Sequence, residues 1–208
     1  MTQIKRPAIK IAGASLLAPL AVLMQILPPL FATPWYMRID LVAVPWILCW
    51  IVFGLKTSLL CLLISAPLVG MLGPLAGGLV GMVMKSVASV WMFVVPALFA
   101  HKAGGVQKLF ENKPFFVLAA LGALLMRAIV TVFFNFYFAL PVFFGMTPEV
   151  IFGFFTALQS FVAKSLGLIG LGAYIAEIVF WNTIQGIIDL SVASALGLIV
   201  LRRLVIKK

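Results

Sequence analysis

Three ionisable side chains stand alone in long apolar stretches: Lys85, Arg127 and Asp189. A charge in such surroundings costs several kcal/mol unless it is paired or faces water. Counted from the ends of their apolar runs at 1.5 Å per residue, all three lie about 16–20 Å deep. That shared depth predicts ion pairing between helices, with Asp189 joining Lys85, Arg127 or both. It also makes them candidates for the floor of a polar cavity. Three amides, Asn135, Asn182 and Gln185, sit in the same runs. Asn135 and Asn182 fall roughly 30 Å from the basic ends of their runs. Gln185 follows Asn182 by three residues, so one helical face carries both. Aromatics crowd that level, Tyr137 and Trp181 among them. Amides among rings form the kind of site that holds a flat heterocycle by stacking and edge hydrogen bonds.

Catalytic chemistry finds little support. The single histidine, His101, has no Ser or Cys nucleophile beside it. There is no Walker A sequence, no metal-ligand spacing and no Gly-rich phosphate loop. Cys49 and Cys61 lie inside apolar runs and read as small buried hydrophobes. The chain is therefore expected not to be an enzyme and to hold no cofactor or metal.

The elements that position these groups must be membrane helices. Of 208 residues, 64% are hydrophobic and 10% charged, and mean hydropathy is +1.24. Such a composition leaves too little polar surface for a water-soluble fold. The apolar text divides into spans at about 9–30, 41–55, 58–72, 75–99, 115–140 and 173–201, within one membrane domain, 1–208. The expected fold is an all-α integral membrane bundle of six transmembrane helices. The region 146–172 is read as an outer-face helix or re-entrant segment between helices 5 and 6. The N-terminal run is read as a retained span rather than a signal peptide.

Fifteen Lys and Arg against five Asp and Glu give a net charge of +10. With six spans, most of the cations fall on one side, which the positive-inside rule makes the cytoplasm. Both termini are then cytoplasmic, and a partner of lipid rather than nucleic acid explains the charge. Arg38 and Asp40 fall on the opposite side, on the loop after the first span, where they would help cap the cavity. Small residues four apart make helical stripes for close packing. One comprises Gly73, Gly77 and Gly81. Another, Ala14 and Ala18, is read as a surface for a partner.

Several stretches together resemble the S components of energy-coupling factor (ECF) transporters, the membrane-embedded vitamin-binding subunits. They are Ala14-x-x-x-Ala18, Asp40-x-x-x-x-Pro45 with Phe53-Gly54, and Gly73-Pro74 through Gly81. Asn135-Phe136-Tyr137-Phe138-Ala139-Leu140-Pro141 and Trp181-Asn182-Thr183-Ile184-Gln185-Gly186 are similar to the riboflavin branch. Trp181 stands where that branch has Phe, and Gln185 where it has Lys. The resemblance implies a six-helix bundle in a prokaryotic plasma membrane with a ligand cavity in its outer half. It implies uptake of riboflavin or another flat heterocyclic vitamin. The partners would be a transmembrane coupling subunit, docked on Ala14 and Ala18, and two cytoplasmic ATPases, the only users of ATP. The expected substrate-binding residues are Arg38, Asp40, Lys85, Asn135, Tyr137, Trp181, Asn182 and Gln185. The alternative expectation is a standalone secondary transporter, against which stands the lack of internal repeats.

Overall fold

The computed structural model describes residues 6–72, 78–158 and 160–206. Five of its helices are long and apolar enough to cross a membrane. Helix α1, Pro7–Ile26, starts on a proline, which the first turn tolerates, and stops before Pro28-Pro29. A two-residue antiparallel pair follows, β1 (Phe31–Ala32) with β2 (Arg38–Ile39), in the register Phe31 to Ile39. This hairpin is absent from the all-α expectation. Thr33 Oγ1 accepts the Met37 N–H at 2.9 Å across its turn, which a sequence pattern of helical spans does not reveal.

Helix α2, Ala43–Phe53, has 11 residues rather than the fifteen expected for the second span. It is about 16 Å long, half of a ~30 Å hydrocarbon core. Gly54, at φ 100°, turns the chain directly into α3, Leu55–Leu72. Two bonds of 2.7 Å lock the pair. Trp46 Nε1 donates to Ser65 Oγ, and the Ser58 hydroxyl donates to the Trp46 carbonyl.

Helix α4, Gly78–Ala103, runs past the expected end of the fourth span and carries His101 and Lys102 on its last turn. The expected basic loop is thus largely helical, because α5, Val106–Glu111, follows at once. Gly73 and Gly77 of the glycine stripe lie outside the described residues.

Helix α6, Lys113–Phe134, is capped by Asn112, whose side chain accepts the Phe115 N–H. It continues through a π-helical turn, Asn135–Ala139, into α7, Leu140–Phe144. Together these form one apolar rod of 32 residues. The stretch 146–172 forms two short helices, α8 (Pro148–Ala157) and α9 (Phe161–Ser165). Ile151 and Phe155 of α8 are fully buried, in a cluster with Ala173, Tyr174 and Ile178 of α10, Gly170–Ile206.

Between membrane helices, lipid removes the usual hydrophobic drive, so close packing must hold the bundle. Glycines permit it here. A Cβ on Gly13 would stand 2.4 Å from the Phe53 ring, and one on Gly186 2.5 Å from Leu124. These contacts draw α1 to α2 and α10 to α6. The main core gathers Trp46, Trp50, Met92, Phe93 and Leu109. The perimeter is apolar too, with Leu16 75% and Met71 78% exposed. This is the surface of a multi-pass membrane protein.

Ala14 and Ala18 are 0% and 1% exposed. That corrects the docking expectation. The stripe packs α1 within the bundle core and is not open to a partner.

Candidate functional site

A single network of charged and amide side chains crosses the bundle. Lys85 on α4 forms an ion pair with Asp40 at the end of the hairpin. The Asp40 N–H donates to Gln185 Oε1 at 3.0 Å, and Gln185 Nε2 donates back to the Asp40 carbonyl at 2.6 Å. Gln185 Nε2 also donates to Asp189 Oδ1 at 2.8 Å, one turn along α10. Asp189 Oδ2 accepts from Arg127 Nη1 of α6 at 3.3 Å. Arg127 Nε donates to Asn182 Oδ1 at 3.4 Å, which returns the network to α10. Asp40, Arg127, Asn182, Gln185 and Asp189 are all buried. Every charge is paired and hydrogen-bonded, the condition under which ions persist in a low dielectric.

The network refines the expected cluster. Arg127 does pair with Asp189, but Lys85 turns to Asp40 instead. Asp40 is no outer cap. The hairpin descends into the bundle and delivers it to the level of Gln185. Irregular backbone is tolerated at such depth only where it is buried in protein or lines a cavity.

A cavity stands on this network. Its empty space is about 960 Å³ counted out to its mouth. Asp40, Lys85, Arg127 and Asp189 line its floor. The hairpin contributes Trp35, Tyr36 and Arg38, and α4 contributes Met84 and Ser89. From the rod of α6 and α7 come Thr131, Asn135, Phe143 and Phe144. Tyr36, Phe143 and Phe144 are exposed and form the rim, with the Tyr36 and Phe144 rings 5.8 Å apart. Beneath the floor, Met92, Phe93, Ala119, Ala123 and Ala193 close the bundle.

The π-helical turn starts at the cavity wall. The Leu140 N–H reaches back five residues to the Asn135 carbonyl. Asn135 Nδ2 donates to the Thr131 carbonyl at 2.8 Å, which steadies its side chain against the wall. Such turns widen a helix locally and recur at functional sites.

Of the expected site residues, Arg38, Asp40, Lys85, Asn135, Asn182 and Gln185 line the cavity. Tyr137 and Trp181 do not. Tyr137 is 72% exposed and stacks on Phe133, outside the cavity. Trp181 stacks on Phe31 of the hairpin at 4.9 Å, and its Nε1 donates to Glu177 Oε2 at 3.0 Å. It supports the hairpin from behind. Glu177 also accepts from Ser160, the cap of α9, and so ties that helix to α10. Gln185 and Asn182 make their hydrogen bonds inside the protein. They position the floor rather than offer themselves to a ligand.

Sequence reasoning missed Trp35, Tyr36, Phe143 and Phe144. The available signal was aromatic pairs beside the breakers Pro34 and Gly145. Among the described residues no three of His, Cys, Asp and Glu gather as metal ligands. The chain matches no protein-family model, no curated protein and no solved structure.

Proposed function

We propose that this chain is the substrate-binding membrane subunit of an ECF-type vitamin importer. The observation that carries the reading is the cavity itself, with a hydrogen-bonded ionic floor, an aromatic rim and a closed apolar bundle beneath. Such a site binds and orients a small molecule without conducting it. The ordered sequence resemblance adds the class: a flat heterocyclic vitamin, riboflavin foremost. Transport would then draw on a transmembrane coupling subunit and two cytoplasmic ATPases, in a prokaryotic cell membrane. The coupling subunit would dock elsewhere than on Ala14 and Ala18.

The test is vitamin uptake by cells lacking their own uptake systems. The chain is expressed with and without an ECF coupling module. Uptake that needs the module, with binding that does not, supports the proposal. Uptake by the chain alone would identify a standalone transporter instead.

A further inference from the structure

We infer that the cavity takes a vitamin, or vitamin derivative, that carries a net negative charge on its apolar or aromatic body. The inference rests on the vitamin-binding reading above and narrows it by naming the charge: riboflavin itself is neutral, so within that branch its 5′-phosphate becomes the expected ligand. Five ionisable side chains line the cavity: Arg38, Lys85 and Arg127 against Asp40 and Asp189. Two of the cations are matched, Lys85 by Asp40 and Arg127 by Asp189. Arg38 is left over. Its Nη2 donates to the Leu27 carbonyl at 2.9 Å and the Gln25 carbonyl at 3.4 Å, at the end of α1. Those acceptors are neutral, so the lining keeps one positive charge in excess. An unmatched cation on the wall of a cleft attracts an anionic ligand.

Hydrogen-bond accounting points the same way. Each Asp40 and Asp189 carboxylate oxygen already accepts a bond, as do the Gln185 and Asn182 side-chain oxygens. Donors are in surplus. Lys85 spends one of its three N–H groups on Asp40. A ligand bearing a carboxylate or phosphate would supply the missing charge and accept the remaining Lys85 N–H groups. Arg presents a planar fork that fits either group. The rim rings of Tyr36, Phe143 and Phe144 would take its body.

The test uses matched ligand pairs on the full-length protein, purified in detergent and free of ligand. The panel is nicotinate with nicotinamide, biotin with biotinamide, pantothenate with pantothenol, and the 5′-phosphates of riboflavin and pyridoxine with the parent vitamins. Calorimetric titration is expected to give at least tenfold tighter binding for the anionic member of the pair that binds. The carboxylate and phosphate arms then separate the two sources of charge. Arg38→Gln should abolish the preference, bringing the anion's affinity down to that of its neutral partner measured on the same variant. Arg38→Lys, which keeps the charge, should retain it. A neutral member that binds as tightly as its anion would overturn the charge inference alone. So would a preference that survives Arg38→Gln. Silence across the whole panel would overturn the vitamin-binding reading and the charge inference with it.

Discussion

Asp40 and Gln185 pair as two strands would, although 145 residues separate them. The Gln185 side-chain amide stands in for a backbone peptide. It accepts the Asp40 N–H at 3.0 Å and donates to the Asp40 carbonyl at 2.6 Å. Through this pair the hairpin is fastened to the longest helix, and Lys85 meets its counter-ion.

Removing that amide leaves buried backbone groups unsatisfied, at about 1–3 kcal/mol. Gln185→Ala should therefore lower the melting temperature in detergent and weaken ligand binding together, since the hairpin loses its anchor. Gln185→Glu should be worse. An ionised carboxylate cannot donate to the Asp40 carbonyl, and it adds a like charge beside Asp189. Wild-type melting of both variants would show that Gln185 does not hold the hairpin.

The Arg127–Asp189 pair predicts a contrast between two carboxylates. Asp189 is 0% exposed and bonded to Arg127 at 3.3 Å. Glu149 is exposed on α8. Asp189→Asn leaves Arg127 buried and uncompensated, at a cost of roughly 3–5 kcal/mol. Glu149→Gln should cost nothing measurable. Replacing both partners with apolar groups, Arg127→Met with Asp189→Leu, should recover much of the stability lost by the single change. Equal melting of Asp189→Asn and Glu149→Gln would mean that Asp189 is solvated.

This pair was legible in the sequence because two lone charges at one depth in lipid have few other options. Lys85, the other candidate partner at that depth, pairs instead with Asp40, which the sequence does not place. Depth was counted along the helices, and Asp40 lies on a hairpin that dips, so its position could not be counted at all. Tyr137 and Trp181 failed differently. Tyr137 follows Asn135 by two residues, about 200° around a helix. Its depth agreed with the cavity and its face did not. The long apolar helices were readable because composition alone defines them. The hairpin was not, since two paired residues leave no periodic trace.

Ala14 gives a third test. It is fully buried, whereas Ala12 on the same helix is exposed. Ala14→Trp overfills a packed interface and should destabilise the protein by about 1–3 kcal/mol or more. Ala12→Trp should melt like the wild type. If Ala14→Trp instead keeps its stability and loses only uptake, the stripe meets a partner after all.

Helix α2 makes the topology testable. Its 11 residues are too few to cross unaided. The hairpin ahead of it, buried at Ile39 and Asp40, would complete the sixth crossing and put both termini in the cytoplasm. Reporter fusions after residue 208 and within 101–113 should then both report cytoplasm. External signals from both fusions would mean that α2 does not cross and that the chain makes five crossings.

Asn135 and Asn182 separate binding from support. Asn182 is committed inside the floor, where its Oδ1 accepts from Arg127 and its Nδ2 donates to the Ile178 carbonyl at 2.9 Å. Asn135 has one bond, from Nδ2 to the Thr131 carbonyl, and its side chain lines the cavity wall. One neutral hydrogen bond to a ligand contributes about 0.5–1.5 kcal/mol, or roughly two- to tenfold in affinity. Asn135→Ala should weaken binding by that factor at an unchanged melting temperature. Asn182→Ala should lower both, because it frees one side of Arg127. Tyr137→Ala, on the exposed face of the same rod, should change neither. Calorimetric titration and thermal melting of the three variants decide the matter. Unaltered affinity in Asn135→Ala, or a loss in Tyr137→Ala, would move the ligand away from this wall.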